Sequence, residues 1–245
     1  MGLSGLGYNG HVFWDTEMFM MPPMLMLQPQ MARSMLEYRF ERLEEARKNA
    51  ASYGYAGAMF PWESASTGAE DCPVTSLAGT FQHHVTADVA IACWNYWLAT
   101  QDREWLETRG WPVLKATAEF WVSRVERTDD GKYHVYNVMG ADEWAVNKDD
   151  DAYTNGAVKR NLEFATAAAK ELGLNCPSEW MTIADNIFFG KMADGVTLEH
   201  AGYDGAEIKQ ADVNLLAFPL KLITDKKQCM KDLAYYSTKV PQKKT

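Results

Sequence analysis

Residues 155–173 read Asn-Gly-Ala-Val-Lys-Arg-Asn-Leu-Glu-Phe-Ala-Thr-Ala-Ala-Ala-Lys-Glu-Leu-Gly. The run is rich in alanine, the strongest helix former. It closes on Gly173, a residue suited to the left-handed position just past a helix C-terminus. A helix over Asn155–Leu172 follows, and the same signature extends outward in both directions. Upstream, Pro112 suits a first helical turn, with Leu114, Ala118, Trp121 and Val125 at helical spacing behind it. Val85, Val89, Cys93, Tyr96 and Trp97 make a second stripe. Met31, Met35, Tyr38 and Arg42 lie on one side of a third segment, with Leu36, Phe40 and Leu43 beside them. Glu44 and Lys48 are placed there as an i,i+4 pair. Downstream, Ser178 can cap a helix through Phe188, and Thr224 another through roughly Ser237, before Pro241.

The main strand signal is Lys132-Tyr133-His134-Val135-Tyr136, after the turn Asp129-Asp130-Gly131. There is no βαβ alternation. Helix after helix, joined by long loops bearing aromatics and glycine, predicts an all-α architecture of packed helices with one short β-hairpin. Functional loops would gather at one end.

The chain has 245 residues, enough for one large domain or part of one. Its net charge of −9 argues against nucleic acid and against an anionic membrane surface as partners. It contains no run of eighteen apolar residues that could span a membrane. The opening Met1-Gly-Leu-Ser-Gly-Leu-Gly-Tyr lacks the basic and apolar regions of a signal peptide. The compartment stays open between cytoplasm and export, and the oligomeric state stays open too, a homodimer included. Aromatics make up 12 % of residues, nine of them Trp. Trp and Tyr stack on the C–H faces of sugars, although most of these nine are expected in the core. The four cysteines have no CxxC spacing, so no zinc site is expected, and Cys93 reads as a packed thiol. His83 and His84 are adjacent and diverge on a helix, so a shared metal is not expected. Lys148-Asp149-Asp150-Asp151 lacks the glycine and glutamate of an EF-hand and reads as a solvated turn.

Four segments are polar and aromatic where a plain helix would be apolar. In Val138-Met139-Gly140-Ala141-Asp142-Glu143-Trp144, an acidic pair lies between a strand and an acidic loop. A carboxylic acid beside an aromatic wall can keep its proton near neutral pH. Cleaving a glycosidic bond needs such an acid, aimed at the leaving oxygen. Taken alone, these residues read more readily as an acidic turn closing a hairpin. The other segments are Gly10-His11-Val12-Phe13-Trp14-Asp15-Thr16-Glu17, Phe60-Pro61-Trp62-Glu63-Ser64-Ala65 and Glu207-Ile208-Lys209-Gln210-Ala211-Asp212-Val213. Each pairs a ring or apolar group with carboxylate, amide or ammonium groups, matching the alternating faces and rims of a hexose.

In order and spacing, the four motifs together resemble the catalytic domain of glycoside hydrolase family 65, from about Gly7 to the end of the chain. The resemblance implies an (α/α)6 barrel with the active site at one open end. It implies Glu143 as general acid, and Trp14 and Asp15 as the pair holding the glucosyl unit at the cleavage point. It implies Lys209 and Gln210 as the pair gripping the same sugar's hydroxyls, with Trp62 and Glu63 as further pocket lining. All of these are expected to share one cleft. The family acts on small α-glucosides with inversion and needs no cofactor. Inorganic phosphate enters as co-substrate only in its phosphorylases.

The stretch Phe60-Pro-Trp-Glu-Ser-Ala-Ser-Thr-Gly-Ala-Glu-Asp-Cys-Pro73 looks like the branch of kojibiose hydrolases and the glucosidase acting on glucosylgalactosyl-hydroxylysine. That favours an inverting α-glucosidase, with an α-1,2 linkage the first candidate. An inverting disaccharide phosphorylase is the second reading, and a non-catalytic sugar-binding fragment the third. In this family the catalytic base or phosphate loop follows the Lys-Gln motif. The base is therefore expected beyond residue 245, and residues 1–245 are read as one domain: the N-terminal and central part of the barrel, without its C-terminal helices. A partial ring should leave Leu215-Leu216 and Met230-Leu233 as an exposed apolar patch.

Overall fold

A computed structural model describes residues 7–241. In chain order its main helices are α1 (Met21–Leu27), α2 (Pro29–Glu41), α3 (Leu43–Ser52), α4 (Val85–Thr100), α5 (Trp111–Arg124), α6 (Ala152–Leu172), α7 (Glu179–Asn186), α8 (Asp212–Ala217) and α9 (Lys226–Tyr236). Between α5 and α6 lies one hairpin, β1 (Glu126–Arg127) against β2 (Tyr133–His134), antiparallel, with Arg127 opposite Tyr133. Gly131 takes a positive φ of 81° in its turn. The all-α expectation with a short hairpin holds, although the strand is shorter than the five residues expected.

Helix α6 is the organising element. It packs on α4, α5, α7 and α8. Its buried face combines small residues, Ala157, Ala165, Ala168 and Ala169, with the larger Tyr153, Val158 and Leu162. Gly156 lets α8 approach, since a Cβ there would lie 2.5 Å from the Leu216 side chain. The helix starts a turn earlier than its alanine run, because Asp151 caps it by accepting the Thr154 N–H at 2.6 Å. It ends where expected, on Gly173 at φ 70°. Helix α4 is not the one-sided stripe expected from Val85, Val89, Cys93, Tyr96 and Trp97. Ala87, Ala90, Ile91, Ala92 and Trp94 are buried as well. A helix apolar all round is enclosed by its neighbours, which is the position α4 holds. The Cys93 thiol is buried, and burial pushes its pKa up.

Other local expectations need correction. The Met31 segment is two helices, interrupted at Arg42, and its buried face is Ala32, Leu36 and Arg39 while Met31 is 52 % exposed. Arg39 can point inward because the Glu17 carboxylate receives it there at 2.6 and 2.9 Å. Lys48 pairs with Glu45, and Glu44 with Arg47, rather than with each other. Ser178 offers no side-chain cap, and α7 stops at Asn186. Asp225, not Thr224, caps α9, accepting the N–H groups of Lys227 and Gln228. The acidic run 149–151 is solvated only at Asp149. Asp150 and Asp151 are buried, and Asp150 accepts the Val135 N–H at 3.1 Å and lies 2.7 Å from His134 Nδ1. The apolar patch is partial: Leu216 is buried, whereas Met230 and Leu233 are 55 % and 49 % exposed on α9. Among the described residues no helix is long and apolar enough to cross a membrane.

Candidate active site

The four motif segments lie largely in connections between elements, the fourth running into the start of α8, and hydrogen bonds tie them to one another. The Val12 N–H donates to Ser64 O at 2.8 Å, and the Ser64 N–H returns to Val12 O at 3.0 Å, joining the first segment to the second. The second is shaped by Glu70, whose carboxylate accepts the N–H groups of Trp62, Glu63 and Cys72 at 2.7, 2.9 and 3.1 Å. The third is held by Gln82, whose amide donates to Gly140 O at 2.7 Å, and by the Met139 N–H bonded to Phe81 O. Asp142 joins the third to the fourth, since its Oδ1 accepts the Lys209 N–H at 2.9 Å.

Trp14 is buried at the floor. Its ring meets His84 and Tyr153 at centroid distances of 4.9 and 5.5 Å. Those two rings are themselves fixed by Asp88, which accepts the Tyr153 hydroxyl at 2.6 Å and lies 2.8 Å from His84 Nδ1. Beneath the next turn runs the Glu17–Arg39 pair, wholly buried. A carboxylate and a guanidinium in a dry interior are held only when paired and hydrogen-bonded, as these are. The Trp14-Asp15 segment therefore rests on two buried polar networks that set its position.

Two cavities open beside these segments. The first, about 360 Å³, is lined by Trp14, Asp15, Phe13, Phe19, Trp62, Glu143, Gln210 and Tyr8, with Ala141, Ala211 and Leu215. The second, about 650 Å³, includes Glu63, Lys209, Ser76, Thr75 and Met139 among its lining. Tyr8, Trp62 and Glu143 line both, so they form the shared wall.

The structure thus brings Trp14, Asp15, Trp62, Glu143 and Gln210 into one cavity. Glu63 and Lys209 instead line the adjoining one. Lys209 differs from the expectation of a single shared pocket: its ammonium turns to the Glu143 carboxylate and pairs with it. Glu63 turns to His11, 2.7 Å from its Nδ1. The aromatic wall is also corrected. Trp144 is 58 % exposed and lines a neighbouring depression with His200 and Tyr203. The rings that line both cavities together with Glu143 are Trp62 and Tyr8, and Phe13 stands edge-on to each of them at 5.0 Å. Tyr8, Phe19 and Glu70 carried no signal in the chain that marked them. Their proximity arises only when the loops meet.

Helices presenting their connecting loops to a cleft of rings, carboxyls and amides define a helical protein with a polar, aromatic-lined site. The glycosyl hydrolase family 65 central catalytic domain matches residues 1–207. The chain belongs to that family. It is 63 % identical over 245 residues to a kojibiose hydrolase of Flavobacterium johnsoniae, covering all of this chain and 36 % of that protein. It is 43 % identical to a protein-glucosylgalactosylhydroxylysine glucosidase of Dictyostelium discoideum, over 96 % of this chain and 34 % of the relative. The chain thus spans about a third of the length of these relatives. A solved structure provisionally assigned as a kojibiose phosphorylase from the human microbiome superimposes with a TM-score of 0.86 at 22 % identity, over 98 % of this chain and 41 % of that one. The fold is accordingly that of part of an (α/α)6 barrel.

Proposed function

We propose that this protein serves an inverting α-glucosidase that releases glucose from an α-1,2-linked disaccharide or glycoconjugate, with Glu143 as the general acid. One observation carries the reading: Glu143 lies on the wall shared by two cavities. An acid that protonates a glycosidic oxygen has to face the bond between two sugars, with one on each side. The first cavity takes the glucosyl unit in this reading, against Trp14, Asp15 and Gln210. The second takes the leaving group, against Glu63 and Lys209. Trp62 and Tyr8 flank the bond itself. Both cavity volumes lie in the range of small-molecule sites. The partner is a small α-glucoside, and no cofactor is needed. The names of the relatives support the linkage, since kojibiose hydrolase stands at 63 % identity.

Inversion also needs a second group on the far face of the sugar. The first cavity's other carboxyl among the described residues is Asp15, which in this reading holds sugar hydroxyls. The base is therefore placed outside that lining.

In the whole protein, Glu143→Gln should lower kojibiose turnover by at least ~10²-fold, the lower range for general-acid catalysis. α-Glucosyl fluoride, whose leaving group needs little protonation, should be affected much less. Equal losses on both substrates would remove Glu143 from the acid's role. Free glucose formed without phosphate supports the hydrolase. Glucose 1-phosphate formed only with added phosphate would replace it by a phosphorylase.

A further inference from the structure

Asp142, immediately before Glu143, is buried, and its bonds reach across to the Lys209–Asp212 loop. Its N–H donates to both carboxyl oxygens of Asp212 at 3.1 and 3.2 Å. Its Oδ1 accepts the N–H groups of Lys209 and Trp144 at 2.9 and 3.1 Å. Asp212 is thus the receiving post for the Glu143 loop. It is fully buried, and its own N–H donates to Glu199 at 2.7 Å.

Behind it stands a second carboxyl. The Asp212 and Asp151 Oδ2 atoms converge over Gly140 so closely that a single Cβ on that glycine would overlap both. Asp151 spends its other oxygen on the α6 cap. Both oxygens stand 2.4 Å from the position of that Cβ, so the two carboxyl groups face each other across it. Two carboxyl groups can bond only with a proton between them. The ionisable groups facing the pair are Asp142 from the Glu143 loop, Glu199 from the loop before Lys209, and Tyr153 from the first turn of α6. Asp88 of α4 lies behind Tyr153, and Tyr203 beyond Glu199. Among the described residues, none of the ion pairs includes Asp142, Asp151, Glu199 or Asp212.

We propose that the proton shared by Asp212 and Asp151 fastens the Glu143 loop to the Lys209–Gln210 loop and to the start of α6, making Asp212 a positioning residue for the general acid. The inference rests on the reading of Glu143 given above. Burial, reinforced by the charges of Asp151 and Glu199, pushes the Asp212 carboxyl well above the usual range. Once that proton leaves, two carboxylates face each other over Gly140 in a low-dielectric interior without a cation. The loops then part, and Glu143 loses its aim at alkaline pH.

Asp212→Asn preserves the shape and gives Asp151 a hydrogen that does not titrate. Asp212→Leu preserves the bulk and gives nothing. In the whole protein, Asp212→Leu should lower kojibiose turnover about 10²-fold, the loss that a displacement of ~1 Å carries, and α-glucosyl fluoride turnover far less. Asp212→Asn should retain most activity on both and carry the kojibiose profile to higher pH. Asp151→Asn, which supplies the hydrogen from the other side, should extend that profile too. It serves as the second variant if the leucine protein does not fold. Infrared difference spectra at neutral pH should show a protonated carboxyl band in the wild type that weakens in both asparagine variants. The proposal is overturned if the band is unchanged, if Asp212→Asn is as impaired as Asp212→Leu, or if its alkaline limb matches the wild type. A Glu143→Gln protein that spares the fluoride, beside an Asp212→Leu protein that does not, also overturns it. Loss of the fluoride selectivity in Glu143→Gln itself instead rejects the acid assignment, and the infrared band still decides the shared proton.

Discussion

At the scale of the residue, the site is built from groups whose burial is tolerated only in company. Gly140 is one such point, with both carboxyl oxygens 2.4 Å from where a Cβ would sit. A methyl group there would press on Asp151 and Asp212 together, and neither carboxyl can yield without breaking a cap or a loop contact. Gly140→Ala should therefore cost about 1–3 kcal/mol, as overpacking does, and lower activity as well. A urea melt with a parallel kojibiose assay checks it; a wild-type midpoint with full activity contradicts the crowding. Arg39 is the second such point. Arg39→Met leaves Glu17 charged and alone in the interior and should destabilise the fold by about 3–5 kcal/mol. Substituting both partners by apolar residues should recover much of that loss, and a double variant no better than the single would count against the pair as the cause. Neither role was legible in the chain. Arg39 belongs to none of the stripes read from the chain, and Gly140 stands inside its motif with no role assigned. Burial of a charge depends on a partner, and the partner here is 22 residues away in sequence.

At the scale of the element, end signals sort into those that depend on neighbours in the chain and those that compete locally. Gly173 ends α6 as its position requires, because a left-handed residue with no side chain closes a helix at low cost. Asp225 and Thr224 compete for one N-terminus, and the carboxylate wins, reaching two N–H groups. Asp225→Ala should cost about 0.5–2 kcal/mol, whereas Thr224→Ala should stay within about 0.5 kcal/mol. Thermal melts of the two variants side by side distinguish them, and a larger loss at Thr224 reverses the assignment. Periodicity located the long helices because it repeats over many turns. It misplaced the buried face of α2, where Met31 outward and Arg39 inward defy the simple apolar rule.

At the scale of the whole molecule, the balance of buried acids and a buried histidine sets the pH range of stability. His83 is neutral, with Arg124 donating to its Nδ1 at 3.2 Å and its Nε2 facing Thr80 O at 3.0 Å. Burial first, then the Arg124 charge, lowers it to about 3 from 6.5. The unfolded chain takes up a proton there that the folded chain refuses, so stability falls as pH drops below about 6.5 toward 3. Glu199 has the opposite sign. Burial, then the Asp151 charge, raises it to about 8 from 4.5, so the folded chain keeps a proton that the unfolded one has lost. Stability therefore falls as pH rises from about 4.5 through about 8. His83→Gln, which can accept from Arg124 and donate to Thr80, should flatten the acid side of a Tm-against-pH curve and leave the alkaline side unchanged. An acid limb as steep as the wild type's would show that His83 does not set it.

The amino-acid sequence by itself determined the helical class, the position of the hairpin, and four motifs whose order marks the family. These depend on local periodicity, on turn chemistry and on residues adjacent in the chain, all of which survive in one dimension. Only the tertiary structure decided that Glu143 stands between two cavities, that Lys209 faces it from the second, that Trp62 and Tyr8 rather than Trp144 share those cavities, and that Asp142, Asp151, Glu199 and Asp212 form one buried cluster. Those facts depend on which loops meet when helices pack. Packing is set by surfaces tens of residues apart, whose complementarity no single stretch of sequence displays.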